Sequence, residues 1–99
     1  MRNKTQILVD CFLSGNFENF QGASPYSGNI NQIFFNDEEI AFKDAHNNVI
    51  IINRIASIAV MSCLLNSFPY IDATVKNEQI YINGILWDGK AAKLDLFIN

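Results

Sequence analysis

The residues able to do chemistry in this chain are few and scattered. The single histidine, His46, sits in a polar stretch beside Asp44 and Asn47. A proton shuttle there needs an oriented partner and a cleft; within "AHNN", 45–48, His46 reads instead as a solvated turn residue. Asp37, Glu38 and Glu39 run together ahead of Asp44 and His46. As a metal set they match neither a calcium loop nor paired histidines on one helix face, and they read as a charged hairpin tip. Cys11 and Cys63 lie in apolar runs, where a thiol behaves as a small hydrophobe. Neither glycine-rich phosphate loop nor nucleophile elbow occurs in the sequence. The expectation is a protein without catalytic residues, metal or cofactor.

Residues suited to binding are easier to find. Phe17, Phe20 and Tyr26 stand among Gly, Ser and Asn in "SGNFENFQGASPYSGN", 14–29. Rigid aromatics among small polar residues are the mixture binding loops use. Tyr26, stiffened by Pro25, is expected to be an exposed anchor. Trp87, beside Asp88 and Lys90, is either a binding hot spot or the closure of one end of a β core. Arg54 follows an apolar run, so it pairs with an acid or marks an anion site. Together with Lys90 and Lys93 these residues define two uses: docking on a partner protein, or an oligomer-built pocket for a small anionic ligand such as a nucleotide signal.

Composition narrows the field. The 99 residues make one domain, 1–99, with 49% apolar and 17% charged residues, a charged share below the usual ~25%. Fourteen Ile and eight Phe supply the core. Thirteen Asn with only two Arg suggest A/T-rich coding and a phage-like or other mobile-element source. Seven cations spread along a chain of net charge −3 argue against duplex nucleic acid, which calls for a basic patch. The apolar region 49–65 is broken by Asn53 and Arg54 and is too short to cross a bilayer. "MRNKTQILVDCFLSG" has no signal-peptide pattern, so a cytoplasmic location with reduced thiols is expected.

The elements that must position these residues read mostly as strands. "TQILVDCFL", 5–13, is rich in β-branched and aromatic residues and is read as a strand, and 14–29 as a loop without regular structure. "NQIFFND" and "EEIAFKD" form a hairpin with Asp37-Glu38 or Glu38-Glu39 at its corner, and 45–48 turns. Val49–Ile52 is a strand needing cover on both faces, which predicts a homo-oligomer. The segment 54–66 is read as a strand, the alternative being a helix capped by Asn53. "IIINRIASIAV", 50–60, resembles the strand–turn–strand corner of SH3-like and Sm-like barrels. Strands at 70–76, 79–87 and 90–98 complete a meander, with Asn77-Glu78 as its first turn. Asp88-Gly89 is taken as the second turn and Asn83-Gly84 as a bulge that pairs Ile82 with Leu94; a turn at Asn83-Gly84, pairing Ile82 with Ile85, is the competing reading. The fold class expected is all-β, a strongly bent sheet or open barrel of seven or eight strands, with α+β and one helix near 54–66 as the alternative.

Overall fold

The computed structural model describes residues 3–18, 20, 25–52 and 57–98. It contains two antiparallel sheets and two short helices. In chain order the elements are α1 (Lys4–Ser14), β1 (Tyr26–Gly28), β2 (Gln32–Phe35), β3 (Glu38–Lys43), β4 (Val49–Ile51), α2 (Ile58–Leu65), β5 (Ala73–Lys76), β6 (Gln79–Ile82), β7 (Ile85–Trp87), β8 (Ala92–Lys93) and a closing 3-10 turn, Leu94–Phe97. The larger sheet runs β1-β2-β3-β4-β8 and the smaller β5-β6-β7. The sheets remain separate, and the expected barrel does not form.

The first correction is at the N-terminus. Residues 5–13 are helical, because the buried residues Thr5, Leu8, Val9 and Phe12 recur at helical spacing and make one apolar stripe. Asn3 caps the start by accepting the Gln6 N–H, and Gly15 ends the helix at φ +75°, a left-handed stop that suits glycine. The second correction concerns 54–66. Residues 58–65 form α2, capped by Ser57 through the Val60 N–H, so the likeness to a barrel corner ends at Ile58. Asn53 and Arg54 lie outside the described residues. Met61, Leu64, Leu65 and Phe68 are buried and repeat the same stripe. The helices meet at a buried polar contact, where the Ser67 hydroxyl donates to Thr5 Oγ1 at 2.8 Å and Thr5 donates to Asn3 Oδ1.

Hairpins fall where two successive residues accept positive φ. Asn36-Asp37 (51°, 65°), Asn77-Glu78 (54°, 62°) and Asn83-Gly84 (51°, 83°) all have the signs a tight two-residue hairpin turn requires. The first expected hairpin is present with its corner one residue earlier, at Asn36-Asp37. The Asn77-Glu78 turn is as expected. At the third, Asn83-Gly84 turns the chain and Ile82 pairs with Ile85, Ile80 with Trp87. The bulge assignment is overturned. After Asp88-Gly89 the chain leaves the small sheet and adds β8 to the large one, pairing Ile50 with Lys93, so no third meander strand spans 90–98. A true bulge lies in β3: Ile33 faces Ala41 but Phe34 faces Glu39, and both Ile40 and Ala41 point into the core with no exposure.

Within the large sheet, Ile33, Ala41 and Ile51 face inward against Leu8 and Phe12. α1 crosses close over β1, where a Cβ on Gly28 would meet Leu8 Cδ1 at 2.8 Å and the Gln32 carbonyl at 3.0 Å; only glycine fits that approach. Lys43 reaches in from β3, donating to the Phe12 carbonyl with its ammonium 4.7 Å from the Phe12 ring centre. A cation at a helix C-terminus and over an aromatic face is doubly favoured. Ile51 and Ile52 are fully covered within one chain, which removes that part of the reason for expecting an oligomer.

Candidate functional site

The residues singled out in the sequence fall in different places. Phe17 and Phe20 are half-buried and pack edge to face, 5.1 Å apart. Tyr26 belongs to β1 rather than a loop. It packs on Phe35 at 5.1 Å and against the core, and burial, followed by the neighbouring Cys63 thiol, raises its phenol above the usual pKa. It is therefore not the exposed anchor expected. Trp87 is 5% exposed, and its Nε1 donates to the Lys90 carbonyl at 2.9 Å, so its polar edge is occupied in closing the smaller sheet. The Lys90 side chain is exposed, and Lys93 is exposed on β8. Arg54 lies outside the described residues. The seven residues do not form one pocket among those described.

Two open clefts touch this set. One, of about 410 Å³, lies between Ile58 and the β6–β7 hairpin and includes Trp87, Glu78 and Asp88. The other, of about 400 Å³, places Phe20 beside Ile7, Cys11 and Ser14 of α1. Among the described residues no group of three His, Cys, Asp or Glu is gathered to hold a metal. His46 is exposed. Asp44 is engaged in its own turn, accepting from the backbone N–H of Asn48 at 2.9 Å and of His46 at 2.8 Å. Those bonds, with Asn48 foremost, hold the Asp44 carboxyl below its usual pKa.

The most exposed aromatic is one the sequence reading passed over. Tyr70 is 85% exposed and has φ +66°, a conformation that is an outlier for a bulky side chain. Its place follows from its neighbours. Phe68 (3% exposed) and Ile71 (8%) are anchored in the core on either side of it, and Phe68 meets Phe12 edge to face. The side chain of Asn83 ties the segment down. Asn83 Nδ2 donates to the Tyr70 carbonyl at 3.0 Å and the Phe97 carbonyl at 2.9 Å, while Asn83 Oδ1 accepts the Asp72 N–H at 2.7 Å. Asn83 thus makes the β6–β7 turn and also ties Tyr70 to the C-terminal 3-10 turn. Beside Tyr70 is an apolar groove of about 190 Å³ lined by Leu13, Val49, Phe68, Leu94 and Ile98, with Asp95 at its edge. Leu13, 40% exposed, carries its apolar surface outward. No local signal marks Tyr70 in "NSFPYID": positive φ is normally announced by Gly or Asn, and here it is imposed by contacts distant in sequence.

No protein-family model, curated protein or solved structure matches this chain.

Proposed function

We propose that this protein acts by binding, docking on a partner protein through the surface centred on Tyr70, in the manner of a small inhibitor or immunity protein. The observation that carries the reading is an exposed aromatic side chain on a backbone that is held in place. A residue in a strained backbone conformation costs ~1–3 kcal/mol and persists only where its surroundings enforce it. Here the Asn83 clamp on the Tyr70 carbonyl enforces it, and the side chain so presented is 85% exposed. Tyr combines apolar area with a polar tip and is enriched among residues that dominate interfaces. Because the loop is already ordered, little conformational entropy remains to be lost on binding. Covering a large apolar side chain returns ~1.5–3 kcal/mol, so Tyr70 and Leu13, which line one groove, together supply a worthwhile anchor. Asp72 and Asp95 beside them, on a chain of net charge −3, favour a partner segment carrying an apolar side chain flanked by Lys or Arg.

The test is affinity capture from the source cells with wild type and Tyr70→Ala side by side, followed by binding of the purified captured protein. A partner bound at least ~10-fold more weakly by Tyr70→Ala, at unchanged melting temperature, supports the reading. Equal binding by both removes Tyr70 from it.

A further inference from the structure

Of the thirteen asparagines in the sequence, Asn83 alone is followed by glycine. A residue without a side chain leaves its backbone nitrogen unhindered, so the Gly84 nitrogen is the one best able to close on the side-chain amide before it. In that reaction the Gly84 nitrogen bonds to Asn83 Cγ and the Cγ–Nδ2 bond breaks. Ammonia leaves with the Gly84 amide proton, and a succinimide ring remains. Water then opens the ring at either carbonyl, giving aspartate or isoaspartate. One water is consumed for each ammonia released, and nothing is oxidised or reduced. In the structure the attacking nitrogen is free and the amide is held. Both residues are exposed, and a Cβ on Gly84 would meet nothing within 4 Å. No acceptor among the described residues engages the Gly84 N–H. Asn83, by contrast, is tied by four hydrogen bonds. Its own N–H donates to the Asp72 carbonyl at 2.9 Å, its Oδ1 accepts the Asp72 N–H, and its Nδ2 donates to the Tyr70 and Phe97 carbonyls. Ring closure expels Nδ2, the atom those two carbonyls hold, so the clamp must open first.

We propose that Asn83 is a deamidation site gated by its own clamp: the reaction proceeds while the clamp is open, and its product cannot close it again. The atom that was Nδ2 becomes a carboxylate oxygen, which accepts hydrogen bonds and cannot donate them. Returned to its place it would face the Tyr70 and Phe97 carbonyl oxygens, acceptor against acceptor, and the side chain turns away from all three of its partners. Isoaspartate also adds a methylene to the main chain, inside a two-residue turn whose φ angles, 51° and 83°, are already those of a tight hairpin. Either product frees residues 70–72 from the 3-10 turn at Leu94–Phe97. The gate is a local opening of an exposed turn and needs no global unfolding. The change runs one way, so each chain that undergoes it loses the fixed Tyr70 backbone permanently. The inference rests on the clamp and not on any partner for Tyr70, so each can fail without the other.

The full chain, folded in buffer and unfolded in urea, is incubated at mildly alkaline pH, and peptide mass mapping with isoaspartate detection reads the site and rate of ammonia loss. Asn83 should lead the other asparagines in the unfolded chain. Folding should slow it at least ~10-fold without abolishing it, as expected of a reaction that waits on local opening. The modified folded fraction, separated by its added negative charge, should exchange the Asp72 amide at least ~10-fold faster than unmodified chain. Asn83→Asp, which installs the aspartate product directly, should show the same rise. Reaction first at another asparagine in the unfolded chain overturns the proposal, as does a folded chain in which Asn83 reacts as fast as in urea or not at all. A modified fraction or an Asn83→Asp variant that keeps the Asp72 amide protected overturns it too.

Discussion

Tyr26 and Tyr70 are both tyrosines that directly follow a proline, and the structure uses them in opposite ways. Tyr26 enters a strand, packs on Phe35 and joins the edge of the core. Tyr70 is turned outward between two buried residues and held there by Asn83. The difference shows that local composition does not separate a packed aromatic from an exposed one. The sequence around Tyr26 has the character of a binding loop and the sequence around Tyr70 does not. What separates them lies far off in the sequence: the Tyr70 backbone is tied through the Asn83 side chain to the Phe97 carbonyl, 13 and 27 positions away.

Truncating each ring should expose this contrast. Tyr26→Ala has the largest expected effect: about 2–3 kcal/mol lost in urea denaturation, less than the ~3–5 for a fully buried aromatic because this ring is only half-covered. A loss under ~0.5 kcal/mol would place Tyr26 with Tyr70. Asn83→Gly comes next. It keeps the positive φ of the turn but deletes three side-chain hydrogen bonds, so about 1–2 kcal/mol should be lost, together with the order of 70–72. Amide exchange at Asp72, whose N–H the Asn83 side chain accepts, should rise well before global unfolding. Unchanged exchange there would show that Asn83 is not the clamp. Tyr70→Gly should cost no stability and gain up to ~1 kcal/mol by relieving the left-handed strain; a loss above ~1 kcal/mol in the same urea titration would mean that the ring supports the fold.

The smallest effect belongs to Asp44. Its folded pKa is depressed by bonds from Asn48 and His46, so its contribution is complete above the unfolded carboxylate value near ~3.9. It is lost as pH falls through the lower folded value. Asp44→Asn should flatten the acid limb of the stability curve below about pH 4, read from melts between pH 2 and 7. An unchanged acid limb would show that the turn does not depend on the charge.

Much of the fold was legible. The β-rich character, the first hairpin, the turn at Asn77-Glu78 and the polar turn at 45–48 follow from alternation and from residues that tolerate positive φ. The helix at 58–65 was the stated alternative. The N-terminal helix is also present in the pattern, in the stripe Thr5, Leu8, Val9, Phe12 between Asn3 and Gly15; β-branched content there favours a strand, and spacing is the better guide. The glycine turns misled for a different reason. Pairing 79–87 with 90–98 assumes that consecutive strands stay in one sheet. Here the chain crosses to the other sheet after Trp87, where the Asp88 carboxylate accepts the Lys90 N–H and the Trp87 indole donates to the Lys90 carbonyl, and no residue in the segment announces that crossing. The abundant asparagine, read from composition as a coding bias, also has physical uses: Asn3 caps a helix, Asn36, Asn47, Asn77 and Asn83 occupy left-handed positions, and Asn66 brackets the Ala73 backbone with both side-chain atoms.

The central claim is that position 70 meets another protein, and a photo-activated cross-linking residue placed there tests it most directly. With the same residue at Thr74, exposed on the outer face of the smaller sheet, as the control, irradiation in the source cells should yield one predominant cross-linked protein from position 70 and none from position 74. That protein, once purified, should bind wild type and lose binding to Tyr70→Ala. Irradiation that gives the same products from both positions, or none from position 70, would contradict the account.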